Sequence, residues 1–142
     1  MKMATAYMRG ERIFLHASCK TTVGVWILCR PVYALNQDDR GDLGSAILDA
    51  LDGSQENVPH PTVWKGLFDP ILQLAHVKSW NAFAKSAKCV EIEFGTNRVS
   101  FLPTRNLGPK DGFEPLESKR RNSSPTRKEV EAALLNAFRD AE

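Results

Sequence analysis

The side chains of this 142-residue chain best suited to chemistry are three histidines, three cysteines and several paired carboxylates. His16, His60 and His76 never come within metal-motif spacing of one another or of a cysteine. There is no H-E-x-x-H, no Walker loop, no G-x-G-x-x-G and no G-x-S-x-G. The expectation is therefore no catalytic residue, no cofactor and no metal, although catalytic groups that converge only in space leave no motif. His60 stands between Pro59 and Pro61, which hold it extended. Its plain role is to tie that loop to the fold by hydrogen bonds, and its chemical role would be a fixed acid-base group. Cys19, Cys29 and Cys89 are odd in number and widely separated, with no C-x-x-C pair. They are expected as buried thiols in a reducing compartment. A thiol nucleophile would need a base, and His16 lies close to Cys19 in the chain.

Other residue groups could bind a partner. Asp38-Asp39, Asp42 with Asp49, and Glu91 with Glu93 form local acidic clusters. Of the tryptophans, Trp26 is expected in the core. Trp64 lies beside Lys65 and Gly66 in irregular structure and is the candidate interface anchor. Lys119-Arg120-Arg121 with Arg127 and Lys128 could touch phosphates, but no aromatic residue interleaves with them. A solvated linker is the better account, and no direct nucleic-acid binding is expected.

These residues need a scaffold, and composition allows one. Apolar residues make up 42% and charged residues 25%, close to the usual globular mixture, and the net charge of +2 decides little. No apolar run approaches the roughly 20 residues that span a bilayer. The first residues lack the apolar core of a signal peptide, so a cytoplasmic protein is expected. Residues 1–142 fit one domain, with 117–125 expected as an exposed polar linker before a C-terminal helix.

The pattern of Cys89-Val90-Glu91-Ile92-Glu93-Phe94 and Arg98-Val99-Ser100-Phe101-Leu102 predicts a hairpin about Thr96-Asn97. That register sets Phe94 against Val99 and Ile92 against Phe101, and leaves Glu91, Glu93 and Ser100 on the other face. A second hairpin about Gly10-Glu11 opposes Met8 to Ile13 and Tyr7 to Phe14. Both its faces are fairly apolar, so it is covered twice or keeps one side for something else. Val23–Cys29, the most hydrophobic segment, is expected as a central strand. Arg30-Pro31 should interrupt its pairing before Val32–Leu35 resumes as an edge strand. Helices are expected from Asp42 as N-cap to a left-handed Gly53, from Asp69-Pro70, from Ser79, and from the capping box Thr126 to Glu129. Gly44 would cost helix propensity or allow close approach to the sheet. Leu107 and Phe113 should pin the loop between Pro103 and Phe113 to the body. The whole reads as an α/β protein of α+β type, a mainly antiparallel sheet of five to six strands with three to four helices.

Several segments together resemble a known family: Tyr7-Met8-Arg9-Gly10, Phe14-Leu15-His16, Gly24-Val25-Trp26, Val58-Pro59-His60-Pro61, Val77-Lys78-Ser79-Trp80 and Arg105-Asn106-Leu107-Gly108-Pro109-Lys110. They look like the CdiI immunity proteins of bacterial contact-dependent growth inhibition, from about Tyr7 to Phe113. The resemblance implies a small cytoplasmic α/β protein without catalysis. It would bind the C-terminal toxin domain of a cognate CdiA effector, often a nuclease, and block its active site or substrate access. It carries over no binding motif. The acidic clusters and Trp64 remain the partner-binding candidates, since complementarity depends on local potential. A toxin strand adding to an uncovered sheet edge is one route. The alternative is a small hydrolase or nucleic-acid-processing enzyme using His60 or His16.

Overall fold

Two β-hairpins side by side make the centre of the sheet, and both keep the predicted register. In the computed structural model, which describes residues 1–142, β1 (Lys2–Arg9) pairs with β2 (Arg12–Lys20), Tyr7 facing Phe14 and Met8 facing Ile13. Gly10 takes a φ of 63° in the turn between them, which glycine adopts without steric cost. β4 (Lys88–Gly95) pairs with β5 (Arg98–Asn106), Phe94 facing Val99 and Ile92 facing Phe101. Thr96 and Asn97 both have positive φ, as a two-residue hairpin loop with matching twist requires. The hairpins join through antiparallel β1 and β4.

β3 (Trp26–Asn36) departs from expectation. It starts later than the apolar run and lies at the edge, in the order β3-β2-β1-β4-β5. Val23 and Val25 are exposed and Trp26 is half-buried, so none of them is core. Local hydrophobicity reports burial demand, and here Trp26, Ile27 and Leu28 answer it by lining a cleft. Arg30-Pro31 does interrupt pairing: Ala17 faces Cys29 and His16 faces Val32, so the two residues between form a bulge. The register also places Cys19 and Cys29 diagonally across β2 and β3, with Cα atoms 5.9 Å apart and the sulfurs bonded. This corrects the reading of both as free thiols; Cys89 is free and buried.

The segment expected as a linker is exposed but has structure. β6 (Phe113–Pro115) and β7 (Arg121–Ser123) return along β5, facing residues 104–106 and 99–101, with a 3₁₀ turn at Glu117–Lys119 between. The basic run is spent internally. Lys119 pairs with Glu142, Arg121 with Asp140, and Arg120 with Glu117 and Glu93.

One face of the sheet carries the main core. Ala4, Ala6, Ile13, Leu15, Val90, Ile92, Val99 and Phe101 pack under α1 (Asp42–Gly53) and α4 (Arg127–Asp140). Thr126 caps α4, accepting from Glu129 N, and the α4 stripe Val130, Ala133, Leu134, Ala137 and Phe138 is buried as predicted. In α1 the N-cap is Gly41, not Asp42, which opens the first turn. Gly53 stays within the helix with no positive φ. Its missing side chain is needed because a Cβ there would lie 2.5 Å from Pro31 Cδ and 2.9 Å from the Arg30 carbonyl oxygen.

The other face is only half covered. Tyr7, Phe14 and Cys89 pack beneath α2 (Asp69–Ala75) and α3 (Trp80–Ala84), which contribute Ile71, Leu72, Ala75 and Phe83. Ser79 caps α3, accepting from Ala82 N. Phe68 precedes α2 as its N-cap, so Asp69-Pro70 sits one position deeper than predicted. Asn106, not Leu107, fixes the loop after β5. Leu107 is 44% exposed, whereas Asn106 Nδ2 donates to the carbonyls of Ala84 and Ala87 at 2.8 Å each. Asn106 Oδ1 accepts from Gly108 N at 2.8 Å, and Phe113 packs against the smaller cluster. Asn106→Ala leaves those carbonyls without the amide, and urea unfolding should show a loss of about 2 kcal/mol. An unchanged midpoint would refute this anchoring.

Candidate functional site: a cleft on the half-open sheet face

Alternation along β1, β2 and β4 directs the same parity of residues to the half-open face. Thr5 faces His16 on β2 and Glu91 on β4, so the three form one row across the sheet. The next row holds Leu28, Ser18, Met3, Glu93 and Ser100. Together with Trp26, Ile27, Trp64, Leu67 and Phe68, residues of these rows line a cleft of ≈ 440 Å³. Its floor is sheet, one wall is β3, and another is the segment entering α2.

The walls have identifiable supports. Phe68 stacks on Trp80, with ring centroids 4.3 Å apart, and Trp80 stacks on Phe83 at 5.4 Å. Tyr7 separates the covered half from the cleft, packing edge-on to Phe83 at 5.2 Å and lying 5.9 Å from the His16 ring. The His60 ring packs edge-on to Trp64 at 5.1 Å, and its Nδ1 is 3.0 Å from Thr21 Oγ1. This is the loop-tying role that the flanking prolines implied. Trp64 is 51% exposed at the rim.

Two polar groups in this cleft are unusual. His16 is 4% exposed, and its Nδ1 lies 2.8 Å from the carbonyl oxygen of Ala17. A carbonyl only accepts, so Nδ1 carries the proton and Nε2 is left as an acceptor. Nε2 is buried and has no partner, an arrangement that costs about 1–3 kcal/mol. Burial also lowers the His16 pKa to about 4, against an opposing pull from the Ala17 carbonyl. Glu91 is pushed the other way. Its pKa is raised first by burial, then by the Glu93 carboxylate, with Arg120 opposing and Glu117 adding. Arg120 Nη1 lies 3.7 Å from Glu93 and donates to Ser100 Oγ at 2.7 Å, while its Nη2 takes Glu117 at 3.0 Å.

The His16 shift has a measurable sign. Below about pH 6.5 the unfolded chain protonates this imidazole, while the folded chain does not until about pH 4. Stability is therefore full above the unfolded value and is lost as pH falls towards the folded one, by about 3 kcal/mol in total. Glu91 works in the opposite sense, because its raised pKa lets the folded state take a proton first. Urea unfolding at pH 7 and about pH 4.5 should show the loss in wild type and a smaller one in His16→Phe. Equal losses would assign the acid sensitivity elsewhere.

Of the sequence candidates, the cleft gathers Trp64, Glu91 and His16, with Glu93 in the adjoining row. Asp38, Asp39, Asp42 and Asp49 lie apart, on the β3–α1 connection and on α1. Asp39 Oδ2 accepts from Asn36 N at 2.8 Å, and Asp49 lies 3.4 Å from the Tyr33 hydroxyl. Asp38 shares a depression with Arg40, Lys88 and Arg139, whose charges offset its own. His76 is exposed, closing α2 with a left-handed φ of 57°. Sequence reasoning passed over Thr5, Tyr7, Ser18 and Met3. Their signal was the two-sided apolar pattern of the first hairpin.

No helix is long and apolar enough to cross a membrane. No protein-family model matches the chain, and no curated protein matches it in sequence. Solved structures do match in fold. A protein of unknown function from Neisseria meningitidis superposes with a TM-score of 0.81 at 14% identity, covering 99% of this chain and 95% of that one. A chain of the CdiA-CT/CdiI toxin and immunity complex from Yersinia pseudotuberculosis superposes with a TM-score of 0.77 at 16% identity, covering 99% and 97%. The chain shares the fold of both over nearly its whole length.

Proposed function

We propose that this chain is an immunity protein. It binds the C-terminal toxin domain of a cognate CdiA effector, a nuclease, and neutralises it by covering the active site or the path of substrate to it. The observation that carries this reading is the fold shared along 99% of the chain with a component of a toxin and immunity complex. The half-open sheet face supports it, because Trp26, Trp64 and Phe68 around a polar floor have the composition of a protein-binding hot spot. The net charge of +2 does not oppose binding to a basic toxin, since Glu91 and Glu93 supply negative potential locally. Catalysis by the chain itself is not part of the reading. A histidine with a pKa of about 4 is a weak proton acceptor at neutral pH.

The test is titration calorimetry against the toxin domain encoded beside this chain, with a nucleic-acid degradation assay on the same samples. One-to-one binding with a Kd in the nanomolar range or tighter, and loss of degradation on mixing, are expected. An active toxin that neither binds nor is silenced would refute the reading. Protection against a toxin without nuclease activity would refute only the nuclease part.

A further inference from the structure

The row His16–Thr5–Glu91 places a buried, partnerless imidazole nitrogen and a half-buried carboxylate on either side of one short side chain. Neighbouring strands lie about 4.8 Å apart, so the His16 and Glu91 backbones are about 10 Å apart across the cleft floor. His16 Nε2 is buried and without a partner. Arg120, the cation whose charge acts on Glu91, is held by Glu93, Glu117 and Ser100. We propose that His16 Nε2 and the Glu91 carboxylate together receive a cationic side chain of the toxin domain, an arginine or a lysine. It sits over Thr5, ringed by Trp26, Trp64 and Phe68. This rests on the immunity reading.

The chemistry of the row selects the occupant. A hydroxyl would meet the histidine nitrogen but leave the carboxylate uncompensated, and a carboxylate would be repelled by Glu91 and Glu93. An apolar side chain would bury both acceptors without partners. A cation supplies donors to both, and its charge relieves the repulsion between the two glutamates. The neutral state of His16 lets it accept rather than repel. Aromatic rims add attraction to a cation and exclude water from it. A guanidinium, with donors on separate edges of one plane, spans two acceptors better than an ammonium does.

The test uses the purified toxin domain with wild-type chain, Glu91→Gln, His16→Phe and, as a charge-matched control in the far turn, Glu11→Gln. Glu91→Gln and His16→Phe should each weaken binding about 30-fold or more, and Glu11→Gln should bind as wild type. The salt dependence of affinity should be shallower for Glu91→Gln than for wild type. In wild-type chain with ¹⁵N-labelled histidine, the His16 Nε2 resonance should move upfield on complex formation, as an acceptor nitrogen gains its hydrogen bond. Should His16→Phe fail to fold, Glu91→Gln and that resonance decide. Wild-type affinity in Glu91→Gln with an unmoved Nε2 resonance overturns the inference and leaves the immunity reading standing. No binding by the wild-type chain overturns both.

Discussion

Phe83→Ala should cost about 4 kcal/mol of unfolding free energy and should loosen one side of the molecule before the other. Phe83 is fully buried and is the ring on which the smaller apolar cluster converges. Tyr7 packs edge-on to it at 5.2 Å, Phe14 at 5.5 Å, and Trp80 stacks at 5.4 Å. The Arg9 guanidinium lies 5.2 Å over its centroid. That cluster has eight buried residues against nineteen in the cluster formed by α1, α4 and the sheet beneath them, so it has less packing with which to absorb a cavity. α3 spans only Trp80–Ala84 and holds to the sheet through Phe83 and Ala84. Removing the ring therefore frees Trp80, and with it Phe68 and the wall of the cleft. Urea unfolding should report the loss. Hydrogen exchange should quicken in α2 and α3 more than in α1 and α4. Uniform quickening would mean the two clusters unfold as one and would refute the separate role of the smaller one. Phe138→Ala, on the opposite face, serves as the comparison: a similar loss of stability with the cleft wall unchanged.

What the sequence disclosed follows from how far each feature reaches along the chain. Both hairpins were legible because opposed residues lie close in sequence and the period of two allows one register. Ser79 and Thr126 were legible as caps because a cap needs only the next three residues. β3 was misplaced because apolarity tells how much surface wants cover, not which strands flank it. Trp26, Ile27 and Leu28 take their cover from the cleft instead of from a second neighbouring strand. The Cys19–Cys29 pairing depends on the register set where β2 turns into β3, with Lys20 facing Trp26, which the spacing of the cysteines does not reveal. The exposed segment before α4 hid a strand because β7 pairs through its backbone with β5, and its polar side chains give no sign of that. Trp64 and Glu91 were singled out in the sequence as candidates to face a partner and His16 as a residue able to do chemistry, and all three line the cleft. That His16 and Glu91 stand either side of Thr5 was not legible. It requires β4 to lie beside β1 rather than beside another strand, a long-range choice made by the apolar faces together.

Gly44→Ala is expected to destabilise, although the same change in an open helix normally stabilises by about 1 kcal/mol. Gly44 is buried in the first turn of α1, where the sequence allowed either a propensity cost or a close approach to the sheet. The close approach is real, but its partner is α4. A Cβ at this position would overlap the carbonyl oxygen of Arg127 and lie 2.8 Å from its carbonyl carbon and 3.0 Å from its Cα. These are backbone atoms of the first turn of α4, so no side chain can swing aside to make room. Glu131 holds the same junction, accepting from Gly41 N at 2.9 Å while 8% exposed. Relief of the overlap requires the two helices to part, and the layer they share includes Leu43, Ile47, Val130 and Leu134. Overpacking of this kind costs about 3 kcal/mol, which outweighs the gain in helix propensity. Gly95→Ala supplies the control, since a Cβ there meets nothing within 4 Å and the residue has no positive φ. Thermal melting should place Gly95→Ala at or near wild type and Gly44→Ala well below it. A Gly44→Ala protein that melts at or above wild type would mean the α1–α4 junction yields without cost, and that the glycine is not what sets how closely those helices pack.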